Sequence, residues 1–203
     1  MYQKNFKKKL VIELIRSFSH LDDYDTSLKK CLIKLNEDSK KIERVKSFFS
    51  LYSYNDVTFY FSNLIFEELK IECKNKIKKK GTTDKVFYLV IKRLEIISKY
   101  KAFNSNWVLS NLTLKNSIFL KKLLFKICDE IWVLAGDKSL DYNYYSKRFL
   151  LMKVYLSTFN FWIRDISENM EETKIFLKNQ LDKVSKIGKY KFELKEFIRK
   201  FIP

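Results

Sequence analysis

Asp141, Tyr144, Tyr145 and Arg148 stand at i, i+3, i+4 and i+7, a spacing that gathers one acid, two phenols and a guanidinium on one face of two helical turns. Such a strip is rigid, polar and aromatic, and the acid at its start suits the helix dipole. On the residues alone it also reads as an N-cap followed by an ordinary amphipathic helix with tyrosines at its rim. Groupings that would do covalent or metal chemistry do not occur: there is no HExxH, no CxxC, no GxSxG and no carboxylate–histidine pattern for a di-iron centre. Asp165, Glu168, Glu171 and Glu172 cluster where a helix begins, the place where acids serve as caps. The single histidine, His20, ends an apolar stretch, and Cys31, Cys73 and Cys128 lie far apart in apolar surroundings as reduced core thiols. The expectation is a non-enzyme with no metal site and no cofactor.

Composition narrows the elements that could position that strip. Gly occurs three times and Pro once in 203 residues, against average usage of roughly 7% and 5%. Hairpins and sheet corners depend on those residues, so an all-β fold is excluded, and a phosphate-binding glycine loop has no material. At 46% hydrophobic and 16% aromatic the chain has ample core, which excludes disorder despite its charge. That charge is +17. It invites nucleic acid or an anionic membrane, yet arginine, the preferred reader of phosphate and guanine, occupies only positions 16, 44, 93, 148, 164 and 199. Abundant Lys, Asn, Ile, Phe and Tyr point instead to an AT-rich genome, and suggest a bacterium. The start MYQKNFKKKLVIELI has no long apolar core and no small-residue cleavage site, and no apolar run reaches the length of a bilayer span. These features predict a chain that begins near Met1 and stays inside the cell.

Helical periodicity runs through nearly the whole sequence. Leu10, Val11, Leu14, Ile15 and Phe18 predict a helix over about 5–19, Asp25 or Thr26 caps a second through Leu35, and Ser39 caps a third through Phe49. A longer helix from about Asp56 ends in KNKIKKKG with Gly81 as its C-cap. Thr82-Thr83-Asp84 restarts the pattern, Asn104-Ser105-Asn106 breaks it, and a short apolar turn follows around Trp107. Next come helices from about Leu114 to Leu134, stopped by Gly136, from Ser139 or Asp141 to Arg164, and from about Asn169 to Ile187, where Gly188 separates a terminal segment. About nine or ten helices and no strand are expected.

Three short helices before six or seven longer ones is the order of TetR-like regulators, whose larger part encloses an apolar cavity. The second and third helices would then take helix-turn-helix positions. Their connection, Asn36-Glu37-Asp38-Ser39, has no glycine and two acids, a poor match to a DNA-reading turn.

Residues 135–181 carry more specific information. Ala135, Gly136, Asp137, Ser139, Asp141, Asn143, Tyr145, Lys147 and Arg148 match AGD-x-S-x-D-[FY]-N-W-Y-[ST]-K-R; Val154, Tyr155, Ser157, Thr158, Asp165, Ser167, Glu172, Thr173, Phe176 and Leu177 continue the pattern. This stretch resembles the COQ-nine family of ubiquinone-biosynthesis proteins, with Tyr144 where the family has tryptophan. The resemblance implies an all-α, TetR-like lipid-binding protein that assists the demethoxyubiquinone hydroxylase. By that resemblance Asp141, Tyr144, Tyr145 and Arg148 form the face toward the hydroxylase. It also implies an isoprenoid pocket, to which Phe125, Trp132, Leu151, Tyr155 and Trp162 are assigned, although helical spacing alone makes these ordinary core residues.

The terminal KYKFELKEFIRKFIP forms a basic amphipathic pattern, with Leu194, Phe197, Ile198, Phe201 and Ile202 on one side and Lys191 and Lys195 elsewhere around it. The pattern suits a membrane interface and equally a helix docked on the protein's own core; the resemblance favours the membrane. The expected organisation is an N-terminal module at 1–51, a lipid-binding domain at 52–187 and a terminal helix at 188–203. The expected function is non-catalytic presentation of an isoprenoid quinone lipid to the hydroxylase. The protein would be cytoplasmic, held peripherally at the anionic surface of the inner membrane, with no specific nucleic acid and with a homodimer left open. The alternatives are a one-component TetR-like regulator that senses an apolar ligand, and a helical protein with no cavity.

Overall fold

The computed structural model describes residues 2–19, 22–104 and 117–201, apart from the side chains of residues 2, 117, 141 and 187–201. Eight α-helices are seen among them, and no strand: α1 (Tyr2–Arg16), α2 (Tyr24–Lys34), α3 (Ile42–Phe49), α4 (Tyr54–Cys73), α5 (Thr82–Ile97), α6 (Ser117–Ala135), α7 (Asp141–Arg164) and α8 (Glu171–Phe201). The all-α expectation from glycine and proline scarcity is met. None of these helices is long and apolar enough to cross a membrane. The break at 105–106, the turn around Trp107 and His20 lie outside the described residues.

The chain divides into two compact units, Met1–Ile71 with Glu95–Leu123, and Glu72–Leu94 with Leu124–Pro203. In the first, α1 buries Leu10, Val11, Leu14 and Ile15, and α2 buries Leu28, Cys31 and Leu32, the i, i+3/4 rows of each sequence. Asp23, not Asp25 or Thr26, caps α2: its Oδ1 accepts from the Thr26 amide at 2.9 Å. The next turn is closed by Asn36 at φ +59°, with Glu37 N–H donating to Leu32 O at 2.9 Å. Asparagine here adopts the left-handed conformation usually left to glycine, so the missing glycine is no argument about this turn. Asp38 then caps a single 3-10 turn at Ser39–Lys41 that leads into α3.

In the second unit, α5 buries Val86, Leu89, Val90 and Leu94; α6 buries Ile127, Cys128 and Ile131; α7 buries Leu151, Val154, Tyr155 and Trp162; α8 buries Leu177 and Leu181. Helices α7 and α8 pack on one another. Gly81 is not a helix C-cap. It opens α5, its carbonyl accepting the Lys85 amide at 2.9 Å, after two tight turns through the lysine run. Gly136 does end α6 as expected: at φ +85° it lets Asp137 N–H reach Trp132 O at 3.0 Å. At the other end of the unit the expected break at Gly188 is absent, because α8 runs unbroken from Glu171 to Phe201. One glycine costs a helix only about 1 kcal/mol, and the Lys, Glu, Leu and Ile around it favour continuation.

Candidate functional site

The turn between α6 and α7 is built around one carboxylate. Gly136 aims Asp137 inward, where its side chain is only 4% exposed. Asp137 Oδ1 accepts from Lys147 Nζ at 2.7 Å and from Ser139 Oγ at 2.8 Å, and Oδ2 accepts from Arg148 Nη1 at 3.0 Å. Lys147 Nζ also donates to Ser139 Oγ at 2.6 Å. Burial works against the charge of Asp137, but the bonds from Lys147, Ser139 and Arg148 outweigh it and hold the carboxyl well below the usual range.

Arg148 joins this turn to α6. Its side chain is 2% exposed, with Nε donating to Asp129 Oδ1 at 2.7 Å and Nη1 to Tyr144 O at 3.0 Å. The Tyr144 hydroxyl donates to the same Asp129 oxygen at 2.9 Å, and that carboxylate pushes the phenol pKa up. A buried guanidinium with three acceptors is well compensated, and removing one partner would strand the rest. The motif residues Asp137, Ser139, Lys147 and Arg148 therefore form one internal clasp.

The strip divides accordingly. Arg148 points into the clasp, Tyr144 is half-buried over it, and Tyr145 is 55% exposed. Asp141 is the first residue of α7, and its side chain lies outside the described residues. Tyr145 stacks on Phe125 with ring centroids 6.5 Å apart, and Phe149, 58% exposed, lies 5.8 Å from the same ring. Phe125 is thus placed under an exposed aromatic face that also includes Tyr142, three residues before Tyr145.

On another side of α7 is an apolar cavity of about 200 Å³, lined by Val86, Trp132, Leu150, Leu151, Val154, Leu181 and Val184, with Thr83, Lys147 and Ser185 at its polar points. Trp132 and Leu151 border it. Lys147 Nζ lies 5.3 Å from the Trp132 ring centroid, and the indole N–H donates to Lys147 O at 3.2 Å, so the clasp also fixes one wall. Tyr155 and Trp162 lie elsewhere in the core, where Tyr155 OH accepts from Arg93 Nε at 3.3 Å and Trp162 packs on Phe159. Burial raises the pKa of the Tyr155 phenol, which therefore stays neutral.

A second clasp joins α7 to α8. Asp165 Oδ1 accepts the Ser167 amide at 2.7 Å, while Oδ2 accepts the Thr173 amide at 2.9 Å and the Thr173 hydroxyl. Ser167 Oγ accepts the Glu172 amide at 3.1 Å. Burial opposes ionisation of Asp165, but the Ser167 and Thr173 bonds prevail and hold its pKa at about 2. Asp165 thus serves as a cap, as its place before a helix predicts.

Asp129, the hub under Tyr144 and Arg148, is absent from the sequence reading, as are Arg93 and the α5 and α8 walls of the cavity. A carboxylate inside the apolar run of α6 was the available signal for Asp129. The terminal residues Lys191, Leu194, Lys195, Phe197, Ile198 and Phe201 are helical in backbone; their side chains, and all of Ile202, lie outside the described residues. Among the described residues no three His, Cys, Asp or Glu side chains form a group that could hold a metal ion.

Residues 119–188, which include both clasps, match the COQ9 family model. The chain is 32% identical over 107 residues to a Dictyostelium discoideum protein named probable ubiquinone biosynthesis protein coq9, mitochondrial, covering 50% of this chain and 34% of that one. It is 29% identical to the Homo sapiens ubiquinone biosynthesis protein COQ9, mitochondrial, and 32% to that of Xenopus tropicalis, in each case over 130 residues, 63% of this chain and 40% of the relative. The match thus spans a third to two fifths of these relatives' length. A TetR transcriptional regulator from Nitrosomonas europaea superposes with a TM-score of 0.70 over 89% of this chain and 98% of its own, at 16% identity, which speaks for the fold alone. Over residues 119–188 the chain is similar to the COQ9 family, and it carries that segment on an all-α, TetR-like fold.

Proposed function

We propose that this chain is a non-catalytic lipid-binding protein of ubiquinone biosynthesis, which takes part of an isoprenoid quinone intermediate into the α5–α8 cavity and presents it to the demethoxyubiquinone hydroxylase. The observation that carries the proposal is the place of the cavity. All of its lining residues except Thr83 and Val86 fall within residues 119–188. The lining is mostly apolar, with Thr83, Lys147 and Ser185 as its polar residues, which suits an oxygenated ring on an apolar tail. A volume of about 200 Å³ is below the roughly 300–1,000 Å³ that encloses drug-sized ligands. It suits a ring or a short isoprenoid piece, with the rest of the tail left to the membrane.

The hydroxylase would dock on Tyr142, Tyr145 and Phe149, with Tyr144 and Arg148 holding that face from beneath. Residues 1–51 and 52–187 would serve as module and lipid-binding domain, and 188–203 would rest on an anionic inner-membrane surface. The test is mass spectrometry of an organic extract of the purified chain, with Val154→Trp as the variant that fills the cavity. Quinone or related isoprenoid lipid is expected in the parent and severalfold less in the variant. Absence of isoprenoid lipid from the parent, or equal amounts in both, overturns the proposal.

A further inference from the structure

The first unit carries a face that the proposed lipid cavity leaves unused. Helix α3 ends in Phe48 and Phe49, whose rings meet edge-on at 4.9 Å, and Phe49 packs against Phe6 of α1 at 5.8 Å. Lys7 fastens this corner: its Nζ donates to Phe49 O at 2.6 Å and lies 4.3 Å from the Tyr60 ring centroid. Yet Phe48 remains 58% exposed. Two shallow grooves meet at Phe6, one bordered by Val45 and Phe48 on α3, the other by Ile12 on α1 and Leu35.

Cations rim both grooves. Lys41 and Arg44 border the first and Lys8 and Lys9 the second, against one shared acid, Glu37. Lys8, Lys9 and Arg44 make no hydrogen bond or ion pair with another described residue, and all three are exposed. Lys41 is held only loosely, 3.9 Å from Asp38. The nearby acid Glu43 is engaged by Lys46 at 3.0 Å.

We infer that this face, with Phe48 and Val45 at its centre and Lys8, Lys9, Lys41 and Arg44 around them, docks on an anionic lipid surface. The exposed Phe48 ring, with half-buried Val45 beside it, enters the boundary between headgroups and acyl chains, while the cations meet lipid phosphates. A recognition helix in a DNA groove would instead turn polar side chains to base edges. The end of α3 offers a phenyl ring there, with Glu43 beside its single arginine. A second copy of this chain would set cation against cation. The inference does not depend on what the cavity holds.

The test is sedimentation of the full chain with phosphatidylcholine vesicles, with and without phosphatidylglycerol, and with duplex DNA as competitor at the same salt. Reversing Lys8→Glu, Lys9→Glu and Arg44→Glu together should lower binding to phosphatidylglycerol vesicles at least tenfold and leave the weak binding to phosphatidylcholine unchanged. Phe48→Ser should lower it severalfold and make the remainder more readily reversed by salt. Both variants should keep the parent's circular dichroism melt and extracted lipid; where the triple reversal melts early, Lys8→Gln with Lys9→Gln carries the charge test, with a smaller loss expected. Parent-like sedimentation of the variants overturns the inference. So does DNA that displaces the vesicles and loses affinity through the same substitutions, which would assign the face to nucleic acid. Absence of isoprenoid lipid from the parent, with vesicle binding lowered in the variants as expected, would count against the cavity proposal and leave this one standing.

Discussion

The guanidinium of Arg148 lies against the ring of Tyr144, with its Cζ 3.5 Å from the ring centroid, while its nitrogens bind Asp129, Asp137 and the Tyr144 carbonyl. One side chain therefore ties the end of α6, the turn and the start of α7 together, and presses on the residue that stands where the COQ9 pattern has tryptophan. Stacking of a cation on an aromatic ring works with either ring, and here it is made on tyrosine. Tyrosine adds a hydroxyl, which here finds Asp129.

Arg148→Ala should destabilise the fold by about 3–5 kcal/mol, the usual effect of removing one member of a buried charge network. Denaturant unfolding monitored by circular dichroism measures this directly. Arg148→Lys should recover only part of the loss, since an ammonium cannot serve both carboxylates with the guanidinium's fork. If Arg148→Ala unfolds like the parent, the clasp does not hold the turn.

Exposure separates the two neighbouring tyrosines. Tyr145→Ala should leave the melting temperature within a degree or two and weaken the proposed docking of the hydroxylase by about 1–3 kcal/mol, as loss of an aromatic anchor does. Tyr144→Phe should cost about 1 kcal/mol of stability through the lost bond to Asp129 and change the affinity little. Titration calorimetry beside a melting curve distinguishes these patterns. Equal binding by Tyr145→Ala and the parent would remove the docking face.

Asp165 sets part of the acid limb of stability. Its folded pKa of about 2 lies below the roughly 3.9 of an unfolded aspartate. The stabilisation is therefore complete above about pH 4 and is lost as pH falls through about 2, where the folded carboxyl takes up its proton. Asp165→Asn should unfold more easily at pH 6 and show a flatter dependence of stability on pH between about 4 and 2. A parallel dependence in both proteins would mean that another acid governs that range.

The start of α7 at Asp141 agrees with the sequence although Leu140 caps it without a side-chain bond, and the end of α6 was legible because its signal is local, a glycine in the left-handed region at 136. The clasp was not, since Asp129 is set in an apolar run of α6 and joins Arg148 only across a helix pair, a relation that no periodicity encodes. Asn36 and Gly188 misled in opposite ways. Asparagine did the work expected of glycine, and glycine was absorbed into a helix whose other residues favour it. The cavity was half legible: Leu151 and Val154 follow from the inward spacing of α7, whereas Val184 and Ser185 border it only because α8 packs against α7.

The continuity of α8 gives the last prediction its form. Leu177 and Leu181 anchor the helix in the second unit, and its backbone continues through Gly188 to Phe201 as one rod. The final turns bring Lys191, Lys195, Arg199 and Lys200, each worth about 1 kcal/mol beside an anionic leaflet, together with a row of apolar residues. Ending the chain before Lys189 removes those turns and spares the anchor. Sedimentation with phosphatidylglycerol vesicles should fall at least tenfold, and the binding that remains should be that of the proposed face at Phe48, Lys8, Lys9 and Arg44. The cooperative thermal transition should persist, because the buried leucines are retained. If that transition is lost instead, the terminal turns belong to the core of the second unit, and the proposed membrane contact is left to α1 and α3.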